Sequence, residues 1–347
     1  MKIYILICLL GILVLLILGS CLYTSKPLSP RPEPWLCSIN ADGTGFRMIK
    51  KVDLNFGTTG FWDIYMTKDD RIIFYGEKLW ISDTDSINVV QMTPDNLSVF
   101  NKPQLEFTQD GGAAYFAASR DLYKIKLSTN EVFKITETPE DYYWAEPVLS
   151  DNEELLTMRG YTFKGKEPRQ AGVYIDLHDN SLKYIYSNTW FPGPYKTKLM
   201  NGLNCQILEN RDGFASVCLL DSTYTLHLPY VASYKNMFET SADQRYILTR
   251  YKQSSSYYAI AIDLSDFSQH ELGMIYEHSS SNPIKACKDT NLVYFRDENN
   301  VYLYDLNNNT KSTVIGPGND VGVFSIYMHA PTWDGSKIYF YADISLQ

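Results

Sequence analysis

Short turns built on aspartate recur along this chain: Thr67-Lys68-Asp69-Asp70, Thr108-Gln109-Asp110-Gly111, Ser150-Asp151-Asn152, Asn210-Arg211-Asp212-Gly213, Ser241-Ala242-Asp243-Gln244, Lys288-Asp289-Thr290 and Thr332-Trp333-Asp334-Gly335. Carboxylates repeated in this way could hold a metal ion or shuttle protons, provided the fold brought them together. An aspartate in a tight turn also has a simpler use, because its side chain accepts hydrogen bonds from nearby backbone amides. The two uses predict different geometries: convergence on one point, or dispersal with one carboxylate per turn.

Other chemistry is poorly served. The chain has no Gly-x-Ser-x-Gly elbow, no His-Glu-x-x-His pair, no glycine-rich phosphate loop and no EF-type calcium loop. Its five histidines, at 178, 227, 270, 278 and 329, are scattered. His278 and His329 each lie near the entry to a predicted strand and are placed on one face, but two histidines without a third partner make no metal site. Surface or packing roles are expected for them, and neither a cofactor nor a metal is predicted.

Cys205 and Cys218 flank the turn at Arg211-Asp212. A hairpin pairing Asn210 with Gly213 sets these cysteines directly opposite each other, at a Cα separation of about 4.5 Å for a non-hydrogen-bonded pair, the short end of the disulfide range. The alternatives are a structural disulfide and two buried free thiols. Cys37 and Cys287 have no evident partnership.

The elements that must position these residues follow from the spacing. The aspartate or asparagine positions 69, 110, 152, 212, 243, 289 and 334 recur mostly at the period of one four-stranded propeller blade. An apolar or aromatic strand follows most turns, as in Arg71-Ile-Ile-Phe74, Ala114-Tyr-Phe-Ala117 and Lys337-Ile-Tyr-Phe-Tyr341. The 27 tyrosines also suit strands better than helices. Residues 329 to 347 supply a first and second strand, and residues 35 to 50 a third and fourth, so that the two ends complete one blade and close a ring without an exposed edge. The fold class predicted is all-β, a β-propeller of seven four-stranded blades, with six as the alternative. The ambiguity lies between 188 and 236, where a fourth strand is not evident. In such a ring equivalent turns lie about 51° apart around the rim of one face, which favours the dispersed reading of the aspartates.

Ser38-Ile-Asn-Ala-Asp-Gly-Thr-Gly45 and Ala330-Pro-Thr-Trp-Asp-Gly-Ser-Lys-Ile-Tyr-Phe340 resemble the repeats of TolB-like propellers, the WD-like units also found in the propeller domains of prolyl oligopeptidases. The resemblance covers residues 35 to 347. It implies the fold and is silent on activity.

Ahead of the repeats, an uncharged apolar run follows Lys2 and ends in Leu18-Gly19-Ser20-Cys21, similar to the lipobox of bacterial lipoprotein signals. The division expected is a signal peptide over 1–20, a lipidated Cys21 with a proline-rich tether over 21–34, and the propeller over 35–347. An uncleaved helix is the alternative, since residues 3 to 25 carry no charge and could span a bilayer. Either form puts the body outside the cytoplasm, in the cell envelope. Leu22 in place of an aspartate after the cysteine favours the outer membrane.

The binding surface is predicted at the channel mouth where blades connect. Asp141-Tyr142-Tyr143-Trp144, the loop 160–171 carrying Lys164, Lys166 and Arg169, and Asn188-Thr189-Trp190-Phe191-Pro192-Gly193-Pro194-Tyr195 all fall in one sector. Aromatic rings beside cations on a chain of net charge −9 suit a peptide or a carboxylate-bearing sugar. Packing between blades is the competing role for the same rings. The net charge excludes a general nucleic-acid binder. The reading is a lipid-anchored module whose partners are membrane lipid, through Cys21, and an envelope protein or glycan. A propeller enzyme acting on polysaccharide or peptide at the same mouth, as a lyase, hydrolase or peptidase, is the runner-up, and a purely structural envelope lipoprotein is the third reading.

Overall fold

The computed structural model describes residues 33–51, 63–85, 88–99, 105–137, 142–149, 153–162, 169–184, 196–200, 203–209, 215–219, 225–228, 239–263, 265–266, 268–275, 282–297, 299–316 and 323–344. Among them the regular elements are strands, arranged in seven four-stranded antiparallel sheets. β1 (Glu33–Asn40) and β2 (Arg47–Lys51) share a terminal sheet with β27 (Val323–Pro331) and β28 (Lys337–Ile344), in the order β2-β1-β28-β27. Both ends of the described chain therefore meet in one sheet, with β1 starting at Glu33, just inside the segment expected to be tether.

The other sheets run in chain order. They are β3 (Asp63–Met66), β4 (Arg71–Tyr75), β5 (Leu79–Asp83) and β6 (Val90–Gln91); then β7 (Glu106–Phe107), β8 (Ala113–Ala118), β9 (Asp121–Lys126) and β10 (Glu131–Lys134). Next come β11 (Tyr142–Leu149), β12 (Leu155–Thr162), β13 (Arg169–Asp176) and β14 (Leu182–Tyr184), and β15 (Lys196–Met200), β16 (Leu203–Glu209), β17 (Ala215–Leu219) and β18 (Thr225–Leu228). The last two are β19 (Glu239–Thr240), β20 (Tyr246–Gln253), β21 (Ser256–Asp263) and β22 (Gln269–Ile275), and β23 (Ile284–Ala286), β24 (Leu292–Arg296), β25 (Val301–Asp305) and β26 (Thr310–Ile315). β18 is the fourth strand that the sequence between 188 and 236 did not reveal.

Burial explains the strand compositions. Every residue of β8 is buried, and Ile72 to Tyr75 of β4 are buried in succession, because second strands are covered on both faces by neighbouring sheets. The outermost strands β2 and β10 are mostly exposed and carry Lys50, Lys51 and Lys134. Lysine on an outer strand disfavours edge-to-edge pairing with another chain. The apolar clusters lie between sheets: one joins the terminal sheet to those of β3–β6 and β7–β10, a second joins β19–β22 to β23–β26, and a third joins β23–β26 to the terminal sheet.

Four of the aspartate turns are structural, and those at 150–152 and 210–213 lie outside the described residues. The hydroxyls of Thr67, Thr108, Ser241 and Thr332 donate to Asp69, Asp110, Asp243 and Asp334 at 2.5 to 2.6 Å. Three of these carboxylates also accept a backbone amide two residues on, from Gly112, Arg245 and Ser336. The Thr108 hydroxyl and the Gly112 amide hold the Asp110 carboxyl below its usual range. The residue after each aspartate is left-handed: Asp70 (φ 59°), Gly111 (73°), Gln244 (59°) and Gly335 (74°). At Gly335 a Cβ would also come within 2.8 Å of Leu292 and 2.9 Å of the Cys287 thiol, so the site requires glycine for space as well as for conformation.

One register differs from expectation. β16 and β17 pair Cys205 with Leu219 and Gln206 with Cys218, the last pair being Glu209 with Ala215. This is a one-residue slip from the expected pairing, so Cys205 is not directly opposite Cys218; the turn at 210–214 lies outside the described residues. The register expected for a Cys205–Cys218 disulfide is therefore not the one formed. Cys37 and Cys287 are free and buried, and burial pushes each thiol up to about 12.

Candidate functional site

The two ends of the sheets offer separate surfaces. At the end where blades connect, Tyr142, Tyr143 and Trp144 belong to strand β11 and not to the loop in which the sequence put them. Long strands β11, β12 and β13 extend the ladder to that end, and the register sets Tyr142 beside Thr162 and Thr162 beside Arg169. Tyr142, Tyr143 and Arg169 are thus brought to one end of one sheet. Lys164, Lys166, Trp190, Phe191 and Tyr195 lie outside the described residues, as do Cys21 and His278.

The opposite end holds a recess of about 250 Å³ that sequence reasoning missed. Its wall is built from the turns between first and second strands of six sheets. The residue just before the aspartate in the repeated turn, Lys68, Gln109, Ala242, Lys288 or Trp333, lines it in each of five sheets. Cys287 occupies the Thr/Ser place in its own turn, its amide donating to Leu292 as Thr332 donates to Lys337. The signal was present in the sequence as the variable position between hydroxyl and aspartate, but the repeat was read for its constant residues.

Neighbouring turns are tied together. Trp333 Nε1 donates to the Met66 carbonyl at 2.9 Å, and its ring meets Phe107 edge-on at 5.8 Å. Lys68 Nζ lies 5.4 Å above the Trp333 ring and donates to the Gln109 carbonyl. The Gln109 amide donates to Glu153, Asn291 and Asp243 bond across their sheets at 2.7 Å, and Tyr294 donates to the Gly335 carbonyl at 2.8 Å. These contacts lock the rim of the recess.

Below the turns a charged layer crosses the interior. Lys285 Nζ reaches Asp63 at 2.6 Å, joining β23 to β3, and sits 4.5 Å from the Tyr65 ring centroid. Both partners are buried, at 7% and 2% exposure. Arg296, fully buried, donates to the carbonyls of Ile326 and Tyr327 on β27 at 2.8 and 2.7 Å. His329 is also fully buried. Its burial and the charges of Arg296 and Lys285 hold its imidazole well below the usual histidine range, so it is neutral.

Lys288, at the recess, contrasts with Lys285. Its side chain lines the open recess and keeps accessible surface. Burial alone would lower its ammonium, but the carboxylates of Glu106 and Glu239 outweigh that effect and hold it above the ordinary lysine range. Among the described residues no group of three or more His, Cys, Asp or Glu side chains converges as a metal site requires.

No protein-family model matches the chain, and no curated protein matches it. Solved structures do. An oligogalacturonate lyase from Vibrio parahaemolyticus superposes with a TM-score of 0.61 at 12% identity, over 90% of this chain and 98% of that one. A prolyl endopeptidase superposes with a TM-score of 0.57 at 10% identity, over 90% of this chain and 51% of that one. A TolB from Acinetobacter baumannii aligns over 90% of this chain and 64% of that one, with a TM-score of 0.48 at 14% identity. The lyase and the endopeptidase contain propellers, and the fold of this chain is a β-propeller. At such identities the likeness concerns architecture alone.

Proposed function

We propose that the chain is a seven-bladed propeller closed into a ring, held to an envelope membrane by acylated Cys21, and that it works as a binding or scaffolding module for an envelope protein or glycan. Closure is supported by the sheet that both termini share and by the turns of six sheets around one recess. The observation that carries the binding reading is the register row Tyr142, Thr162, Arg169. It brings the aromatic start of β11 to the strand ends from which the loop with Lys164 and Lys166 springs. Aromatic faces beside cations fit a peptide or an acidic sugar. Trp190, Phe191 and Tyr195, outside the described residues, are assigned to the same surface on their sequence position alone.

Crosslinking of the tethered protein in solubilised envelopes, compared with a Trp144→Ala, Trp190→Ala variant that remains folded, tests the surface. A partner captured by the natural chain and lost from the variant is the expected result; equal capture by both removes this sector from consideration. Turnover of envelope glycans or peptides by the purified protein would replace the module with an enzyme. Fatty-acid labelling that persists in Cys21→Ala would end the lipoprotein reading.

A further inference from the structure

The recess at the turn end carries an inference independent of the partner surface at the other end. Two of its charges, the Lys288 ammonium and the Glu106 carboxylate, line the same space, yet neither side chain makes a hydrogen bond or an ion pair with another described residue. Of the other charges, Asp289 is exposed in the same turn as Lys288, and the rest are engaged: Lys68 with the Gln109 carbonyl and the Trp333 ring, Glu153 with the Gln109 amide, and Glu239, next to the lining residue Thr240, with Asn282 at 3.1 Å. Opposite charges that could have met as Lys285 and Asp63 do, but stand apart across a recess, present a dipole to whatever enters. Phe107, Leu149 and Trp333 add an apolar wall.

We infer that this recess is a ligand site for a small zwitterion of the free α-amino-acid class, whose carboxylate is held by Lys288 and whose ammonium is held by Glu106. Size agrees, since about 250 Å³ lies below the roughly 300–1,000 Å³ of pockets that take drug-sized ligands. Charge agrees as well. Among the lining residues Glu106, Glu153 and Asp289 outnumber Lys68 and Lys288, so amino acids with acidic side chains are repelled, and neutral or basic ones are accepted. A ligand with only one of the two charges leaves the other protein group desolvated and unpaired, which makes the pairing selective. Rims locked by hydrogen bonds between turns keep the site preformed, which lowers the ordering cost of binding.

Isothermal titration of the full chain in detergent, with a panel of free amino acids and with n-butylamine and butyrate as half-ligands, tests the assignment. Saturable binding is expected for one or more neutral or basic amino acids and not for either half-ligand at the same concentration. Lys288→Met and Glu106→Gln should each weaken that binding at least tenfold. Ala242→Phe, which fills the recess without touching a charge, should abolish it, and unchanged circular dichroism and thermal midpoint establish that each variant is folded. The assignment is overturned if no amino acid binds the natural chain, if a half-ligand binds as well as the zwitterion, or if binding survives Ala242→Phe. Loss of the partner surface at the opposite end would leave all of these outcomes unchanged.

Discussion

Lys285 and Lys288 stand three residues apart, one at the centre of β23 and one in the turn that follows, and they meet carboxylates in opposite ways. Lys285 closes on Asp63 at 2.6 Å with both groups out of water, and the pair bolts two non-adjacent strands together across β27. Lys288 remains apart from Glu106 and open to the recess. The same residue types therefore serve cohesion in one layer and recognition in the next. The difference is set by depth: a charge without solvent must find a direct partner, whereas one at an open wall can wait for a ligand.

Four experiments would break or sharpen that contrast, from the largest expected effect to the smallest. Lys285→Met should destabilise the fold by about 3–5 kcal/mol in denaturant unfolding, because it strands the Asp63 carboxylate. Adding Asp63→Leu should recover most of the loss, and a double variant as unstable as the single one would show that the pair is not the bolt. Next in size is the response to acid. His329 is held well below its ordinary value of 6.5, so the unfolded chain takes up a proton there that the folded chain refuses. Stability present above that value should decline as pH falls below it, by about 1.4 kcal/mol per pH unit. The His329→Gln variant should show a flatter profile between pH 6.5 and about 5.

Asp334→Ala removes the acceptor for Thr332 and Ser336 and should lower stability by about 1–2 kcal/mol, seen as a shift in the thermal midpoint. Lys288→Met should change stability by less than about 0.5 kcal/mol, since the side chain bonds to no described residue. A cost like that of Lys285→Met would make the two lysines alike and erase the contrast.

The turns were the most legible part of the fold. The aspartates were expected to accept backbone amides, and Asp110, Asp243 and Asp334 do so, while the hydroxyls of Thr67, Thr108, Ser241 and Thr332 add a second local bond that the sequence reading did not include. The pairing of chain ends was legible too, because each end carried half of a four-strand unit. The register near Cys205 was not. Five residues can close a hairpin as well as two, and nothing in Asn210 to Phe214 chooses between them. The position of Tyr142 to Trp144 in β11 was also hidden, since a strand can lengthen into its connection wherever a partner strand lengthens with it.

By itself, then, the sequence determined the all-β class, the four-strand unit, the turn chemistry and the joining of the two ends, because all of these rest on contacts between residues close in the chain or on a pattern repeated along it. Only the tertiary structure decided which charges meet. Asp63 and Lys285 lie 222 residues apart, and the recess gathers one variable residue from each of five turns. Such assemblies depend on how sheets pack side by side, and Coulomb and desolvation energies depend on distances that spacing along a chain does not specify.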